Sequence, residues 1–214
     1  MWRQFISNII DAILPLSSEA AIARSLSEET LGKLLNPVTH AREPWITALF
    51  SYYNPKVRAL IRAIKYRGEK APLPALGAVV AEEIMPLLEE KRLYGGWGDI
   101  LMAPVPSSAE RLRTRGYNQA DRIALAILPH LRTAVTYAPD ILGRENRESQ
   151  VNIPKERRHK NIQGAFFALR PEKIRGACIL LIDDVVESGT TLKDAKRALM
   201  AAGATDVMAV AIAH

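Results

Sequence analysis

The sequence has few of the residues on which disulfide, zinc and membrane architectures depend. Its 214 residues contain one cysteine, Cys178, and four histidines that stand far apart. A single cysteine excludes a disulfide framework, and isolated histidines do not supply the closely spaced ligands of a structural zinc site. The apolar runs are far shorter than the roughly 20 residues that span a bilayer. We therefore expect a cytoplasmic protein with no membrane partner, and we interpret residues 1–14 as an amphipathic helix, not a signal peptide.

Two common nucleotide-binding motifs are also missing. The chain has neither a G-x-G-x-x-G fingerprint nor a G-K-[ST] phosphate loop, so a Rossmann dinucleotide domain and a P-loop nucleotidase are set aside. The hydrophobic fraction of 48% is enough for a sizeable core, and the net charge is +6. A basic surplus favours anionic ligands such as phosphates or nucleic acid, but it also simply keeps a protein soluble. The length predicts one domain with an appendage.

An acidic pair at the end of an apolar run is the most informative motif. Residues 179–182 are all apolar and predict a buried parallel strand, and Asp183 and Asp184 follow directly. A short loop comes next, and the apolar spacing after it predicts a helix. The loop carries one acid, one glycine and three hydroxyl groups: Glu187, Ser188, Gly189, Thr190 and Thr191.

This order of elements suits a phosphorylated sugar. The start of a helix favours a phosphate, a glycine allows close approach of the backbone, and hydroxyl groups add donors. Two neighbouring carboxylates accept well from two neighbouring hydroxyls, so the motif indicates a ribose 5-phosphate. The alternative is a strand end followed by a threonine-capped helix, which leaves two adjacent acids at a buried strand end unexplained.

A second strand, loop and helix precede the first in the chain. Residues 100–105 predict a strand, and a helical pattern covers residues 117–128. Between them lie two serines, three arginines and a glycine: Ser107, Ser108, Arg111, Arg113, Arg115 and Gly116. Two such units in one α/β chain predict two anion sites at the same carboxyl edge of a sheet. Plain surface charge is the alternative for Arg111 and Arg113.

Two further segments are strongly charged. Residues 55–70 predict a helix on which Arg58, Arg62 and Lys65 form a basic stripe, either a solvated face or a surface for phosphate or nucleic acid. Residues 142–166 carry six Lys or Arg and three Glu between Arg144 and Lys160. A segment this polar predicts either a catalytic loop that a ligand orders or a solvated surface hairpin.

These motifs resemble two related groups of proteins. Residues 183–191 resemble the phosphoribosyl pyrophosphate (PRPP) loop of type I phosphoribosyltransferases, with Ser188 where the family usually has threonine. Residues 105–120 resemble a block of the ComF family, competence-associated proteins with a phosphoribosyltransferase domain. The matching residues there are Arg115, Gly116, Tyr117, Asn118 and Gln119, and a later block matches at Arg144, Gln150, Arg157 and Asn161. The paired cysteines with which ComF proteins commonly begin are missing, and residues 1–50 match poorly.

The resemblance implies a fold and a ligand. The fold would be α/β of the type I phosphoribosyltransferase kind, a mostly parallel sheet flanked by helices over residues 51–214, with a helical segment or hood over residues 1–50. Asp183 and Asp184 would hold the ribose hydroxyls, and residues 187–191 the 5-phosphate. The pyrophosphate loop would contain Ser107, Ser108, Arg115 and Gly116, and the flexible loop Arg144, Arg147, Gln150 and Arg157. Mg²⁺ would be coordinated by ligand oxygens and water, not by protein side chains.

Two functions follow from the resemblance. The first is binding of PRPP with Mg²⁺, with transfer of the phosphoribosyl group to a base and release of pyrophosphate. The alternative is a non-catalytic adaptor in DNA uptake or processing that binds single-stranded DNA or a DNA-processing protein, with the basic stripe as the surface to test. The sequence leaves the acceptor base and the oligomeric state open, a homodimer included.

Overall fold

The computed structural model describes residues 16–40, 43–131, 133–145 and 164–214. The predicted helix over residues 1–14 and the predicted loop residues Arg147, Gln150, Arg157 and Asn161 lie outside these ranges. The helices are α1 (Leu16–Arg24), α2 (Glu28–Gly32), α3 (Pro55–Arg67), α4 (Leu73–Tyr94), α5 (Ala109–Arg115), α6 (Gln119–Leu131), α7 (Pro171–Ile174) and α8 (Thr190–Ala201). The strands are β1 (Leu35–Thr39), β2 (Ile46–Phe50), β3 (Ile100–Pro104), β4 (Thr136–Tyr137), β5 (Leu142–Arg144), β6 (Phe166–Ala168), β7 (Cys178–Val185) and β8 (Asp206–Ala213).

A six-stranded sheet runs through the molecule in the order β1-β2-β8-β7-β3-β4. Strand β1 is antiparallel to β2, and every other neighbouring pair is parallel. Strands β5 and β6 form a separate antiparallel pair. The predicted α/β class with a mostly parallel central sheet is thus confirmed.

The central strands are apolar on both faces because helices cover both faces. On β7, Leu180 and Ile182 pack into the core under α3, α4 and α6. Ile179 and Leu181 point the other way, into the core under α8 and the β5–β6 pair. This double burial explains why the strand reads as a continuous apolar run rather than an alternating one.

The chain leaves the neighbouring strands β3 and β7 toward opposite edges of the sheet. From β3 the chain passes through α5 and α6 to β4, on one side, whereas from β7 it passes through α8 to β8, on the other. Ile182 of β7 lies opposite Pro104 of β3, so the carboxyl ends of the two strands are adjacent. A reversal of this kind opens a crevice at the carboxyl edge, where ligands of open α/β sheets bind.

Residues 35–50 differ from the helical segment predicted for residues 1–50. They contribute β1 and β2, and β2 pairs in parallel with β8, so the main sheet extends across residue 50. Ile46, Ala48 and Phe50 are almost fully buried in that position. A five-residue apolar run has too little periodicity to distinguish a strand from a helix, and its partner β8 lies far away in the sequence.

The basic run after β3 also differs from the loop predicted there. Residues 109–115 form the short helix α5, whose N-cap Ser108 accepts a hydrogen bond from the Arg111 N–H at 3.4 Å. Gly116 ends the helix with φ +77°, a left-handed conformation that glycine adopts without strain. None of the helices within the described ranges has the length and apolar character needed to cross a membrane.

The close packing of α4 on α6 leads to a test of the core. A Cβ atom at Gly77 of α4 would lie 2.1 Å from the carbonyl oxygen of Ala126 on α6, so Gly77→Ala must push the two helices apart. We expect this change to lower the free energy of unfolding by about 2–3 kcal/mol in urea titrations. Gly32→Ala is the control, because a Cβ there meets no atom within 4 Å. Equal stability of both variants would contradict this packing.

Candidate functional site

The acidic pair lies at the carboxyl end of β7, on the crevice described above. The N–H of Asp184 donates to Asp183 Oδ1, and the N–H of Val185 donates to Asp184 Oδ1, each at 2.8 Å. Each carboxylate is therefore oriented by the backbone through one of its oxygens. Burial, reinforced by the charge of Asp184, raises the pKa of Asp183 to about 8, while Lys65 acts in the opposite direction.

The predicted phosphate loop runs from this pair into α8. Gly189 occupies the N-cap position with φ +70°, and no side chain caps the first turn of the twelve-residue helix. The hydroxyl groups of Ser188 and Thr190 lie 2.8 Å apart, and both Glu187 and Ser188 are exposed. An uncapped first turn leaves backbone N–H groups without intrahelical partners, which is the arrangement that favours an anion.

The loop after β3 lies beside the acidic pair and is internally braced. The N–H of Val105 donates to the carbonyl of Ile182 at 2.9 Å, which joins the end of β3 to β7. Ser107 Oγ donates to Asn118 Oδ1 at 2.9 Å, and Asn118 Nδ2 donates to the carbonyl of Val105 at 3.0 Å. These bonds fix the loop before any ligand arrives.

The structure separates the four residues predicted for the pyrophosphate loop. Ser107 and Ser108 lie at the end of β3, but Arg115 and Gly116 lie at the opposite end of α5. The guanidinium of Arg115 packs over the ring of Tyr66, 5.0 Å from its centroid. The sequence could not show this separation, because it did not predict α5.

The Tyr117 and Gln119 side chains hold the last turn of α3. Tyr117 Oη donates to the carbonyl oxygens of Ile64 and Lys65 at 2.8 and 3.2 Å, and Gln119 Nε2 donates to the Lys65 carbonyl at 3.5 Å. Gln119 is itself buried. The block that resembles ComF proteins therefore positions α3 as well as the loop after β3.

The predicted basic stripe on α3 is mostly engaged in ion pairs. Arg62 Nε lies 2.8 Å from Glu19 Oε1 of α1, and both side chains are largely buried. Lys65 Nζ lies 3.2 Å from Asp184 Oδ2, inside the candidate site. Arg62 and Lys65 of the stripe are thus paired within the protein, and Lys65 is a site residue that its helical spacing alone could not reveal.

Arg144, predicted in a flexible loop, instead ends the short strand β5. Its Nη1 donates to the carbonyl of Pro106 at 3.4 Å, and its guanidinium lies 5.2 Å from the centroid of the Phe166 ring. Burial, and then the charge of Arg111, lowers the pKa of Arg144, whereas Asp183 raises it. Arg144 therefore contributes positive charge between the loop after β3 and the acidic pair.

The β5–β6 pair is fastened to α8 by one buried carboxylate that sequence reasoning did not single out. Asp194 accepts hydrogen bonds from the N–H groups of Gly164 and Phe166 at 2.7 and 3.0 Å, and from Arg197 Nε at 2.8 Å. Burial opposes ionisation, but these donors outweigh it and hold the pKa of Asp194 below its usual value. The helix that begins at the phosphate loop thereby also positions β5 and Arg144.

Comparison with known proteins agrees with this arrangement. Residues 114–214 match the family model of the phosphoribosyl transferase domain. The competence protein ComFC of Bacillus subtilis is 26% identical over 151 residues, which are 71% of this chain and 56% of ComFC. The DNA utilization protein YhgH of Salmonella typhimurium is 25% identical over 165 residues, 77% of this chain and 70% of YhgH. The chain thus spans little more than half the length of ComFC.

Solved structures of phosphoribosyltransferases are also similar. A hypoxanthine phosphoribosyl transferase of Trypanosoma cruzi aligns with a TM-score of 0.41 at 11% identity, over 65% of this chain and 63% of that protein. The family match and the mostly parallel sheet agree with the predicted type I phosphoribosyltransferase fold. Residues 114–214 thus match the phosphoribosyl transferase domain, and the chain is similar to the ComFC and YhgH proteins.

Proposed function

We propose that the crevice between β7 and β3 binds PRPP together with Mg²⁺. The observation that carries the proposal is the adjacency of the two strand ends, where Ile182 lies opposite Pro104. It brings the acidic pair, the uncapped start of α8 and the braced loop after β3 to one edge of the sheet. A carboxylate pair flanked by two anion-binding loops is complementary to a diol that carries phosphate groups at both ends.

Each group would have a distinct role. Asp183 and Asp184 would accept hydrogen bonds from the ribose hydroxyls, and residues 187–191 would hold the 5-phosphate through N–H and hydroxyl donors. The loop at Ser107 would hold the pyrophosphate, with Arg144 supplying positive charge nearby. If transfer occurs, an acceptor base attacks the anomeric carbon and its bond to pyrophosphate breaks. The protein then contributes positioning and charge stabilisation, without a covalent intermediate.

The residues of the candidate site are compatible with an Mg²⁺ ion that is coordinated mainly by PRPP oxygens and water. Across the part of the chain that the structure describes, no group of three or more His, Cys, Asp or Glu side chains forms a metal cage. Mg²⁺ commonly keeps several waters and binds through one or two carboxylates plus substrate phosphates. Asp183 and Asp184 are the carboxylates that would lie beside it, and the ion would neutralise phosphate charge.

Thermal unfolding with matched sugars tests this proposal. Ligand at about 100 times its dissociation constant adds about 2.7 kcal/mol to the free energy of unfolding. We expect Mg·PRPP to raise the melting temperature most, and ribose 5-phosphate to raise it more than 2-deoxyribose 5-phosphate, which lacks one hydroxyl for the acidic pair. Equal shifts with both pentose phosphates would contradict recognition of the diol, and no shift with Mg·PRPP would contradict the proposal.

We propose binding of single-stranded DNA as a second candidate function, since one relative, YhgH, is named a DNA utilization protein. The observation that favours it is a cleft of about 440 Å³ between α3 and α5, lined among others by Tyr66, Arg67, Arg111 and Arg115. Tyr66 is 58% exposed, and the guanidinium group of Arg115 lies 5.0 Å from the centroid of its ring. An exposed aromatic ring among guanidinium groups suits a stacked base and its phosphate.

Replacing Tyr66 by alanine tests this candidate. We expect the variant to lose about 1–3 kcal/mol of binding free energy, or about 5- to 150-fold in affinity, for a fluorescent oligothymidylate measured by anisotropy. Tyr53→Ala is the control, because Tyr53 is 66% exposed but precedes the other end of α3. Equal losses in both variants, or binding that does not weaken with salt, would contradict a DNA site in this cleft.

A further inference from the structure

We propose that Lys65 is a ligand-binding residue of the candidate site: it neutralises the acidic pair in the free protein and transfers to the ligand's phosphate oxygens when the sugar hydroxyls bind. This inference rests on the proposed binding of PRPP. It depends on two separate attachments of Lys65, one through its backbone and one through its side chain.

The backbone of Lys65 is fixed to the pyrophosphate side of the site. Its carbonyl accepts hydrogen bonds from Tyr117 Oη at 3.2 Å and from Gln119 Nε2 at 3.5 Å. Asn118, between these two residues, braces Ser107 of the loop after β3. One short stretch of chain therefore positions both that loop and the last turn of α3.

The side chain of Lys65 reaches the ribose side of the site. Its Nζ lies 3.2 Å from Asp184 Oδ2, and the two side chains are 21% and 16% exposed. Asp184 Oδ1 already accepts from the N–H of Val185. A ribose hydroxyl that approaches Asp184 at Oδ2 must share this oxygen with Lys65 or displace the ammonium group from it.

The negative charge of the acidic pair explains why a cation beside Asp184 would help a phosphorylated ligand to bind. Asp183 and Asp184 are adjacent carboxylates, and the charge of Asp184 is one cause of the raised pKa of Asp183. Negative charge on this pair repels the phosphates of a ligand over a few ångströms. An ammonium group on a flexible stem can neutralise the pair first and then follow the ligand's negative charge, because its three donors have no fixed direction.

Two other roles for Lys65 predict different ligand affinities once its charge is removed. A purely structural ion pair would stabilise the fold and leave ligand affinity unchanged. If Lys65 instead competed with the ribose hydroxyls for Asp184, removal of its ammonium group would increase ligand affinity. The proposed transfer to phosphate requires instead that removal of the charge weakens binding, and that salt reduces the difference.

Calorimetric titration with Mg·PRPP separates these roles. We expect Lys65→Met to lose about 10- to 100-fold in affinity relative to the wild type, the size of a lost hydrogen bond to a charged group. The loss should shrink at high salt. Lys56→Met, an exposed lysine on the first turn of the same helix, is the matched charge control and should bind like the wild type. Lys65→Gln replaces Lys65→Met should the latter fail to fold.

A double-mutant cycle tests the positioning role of Tyr117. Tyr117→Phe removes the donor to the Ile64 and Lys65 carbonyls and should weaken binding of Mg·PRPP in the wild type but not in Lys65→Met. Additive losses would overturn the coupling. Unchanged or tighter binding by Lys65→Met, while the wild type binds, would overturn the Lys65 inference alone. Absence of binding by the folded wild type would overturn the proposed function, and this inference with it.

Discussion

Replacing Asp183 and Asp184 together by asparagine is expected to weaken Mg·PRPP binding by at least about 100-fold, because the hydrogen bonds between the sugar hydroxyls and the acidic pair are lost or weakened. Both acids lie at the carboxyl end of β7, where β3 ends beside them. An amide keeps one acceptor oxygen but presents a donor in place of the other. Two sugar hydroxyls that both donate at this point would therefore lose at least one partner.

The same variant should remain folded. The amide oxygens can still accept from the N–H groups of residues 184 and 185, as Asp183 Oδ1 and Asp184 Oδ1 do now. A matched control removes two negative charges elsewhere. Asp140 and Glu172 serve this purpose, because Asp140 is paired with Lys173 on the surface and Glu172 is exposed on the adjacent turn. Titration calorimetry should show wild-type affinity in the Asp140→Asn/Glu172→Gln variant. Equal affinity in both double variants would contradict a role for the acidic pair.

The stability of the free protein is expected to fall as the pH rises from about 4 to about 8. Burial and the charge of Asp184 raise the pKa of Asp183 from 3.8 to about 8 in the folded state. Between these two values the folded protein holds a proton that the unfolded chain has released. The free energy of unfolding should therefore decrease as the pH rises across this interval and level off above pH 8.

The Asp183→Asn variant should lose this slope and exceed the wild type in stability at pH 8. The carboxyl groups of Asp194 and Asp206 have lowered pKa values, so their contribution is lost only as the pH falls below the unfolded value of about 4. Urea titrations between pH 5.5 and 8 separate the two effects, with Asp140→Asn as the control. Parallel pH profiles for the wild type and Asp183→Asn would show that Asp183 is not protonated in the fold.

The parts of the site that lie in one continuous segment could be predicted from the sequence. In residues 179–191, the strand, the acidic pair, the glycine and the helix start follow one another, so local patterns were sufficient. The helix predicted over residues 55–70 is present as α3, which starts at Pro55 and ends at Arg67, where Gly68 adopts a left-handed conformation. The two predicted anion loops meet at one sheet edge because β3 and β7 are parallel neighbours.

The parts that depend on distant partners could not be predicted. Strand β2 is defined by its pairing with β8, more than 150 residues later. Lys65 was assigned to a surface stripe, since nothing in its helical spacing shows that Asp184 lies within 3.2 Å. Arg115 was assigned to the pyrophosphate loop by the resemblance, whereas the helix α5, which the sequence did not predict, carries it to Tyr66. In each case a tertiary contact, not a local preference, decides the position.

The most direct test of the account is a calorimetric titration of the wild-type protein with PRPP in the presence of Mg²⁺. Binding at the crevice between β7 and β3 predicts a saturable one-to-one isotherm that disappears in the Asp183→Asn/Asp184→Asn variant and persists in the Asp140→Asn/Glu172→Gln control. A folded wild type that gives no heat of binding at any tested concentration or temperature, and no change in melting temperature, would contradict the central claim.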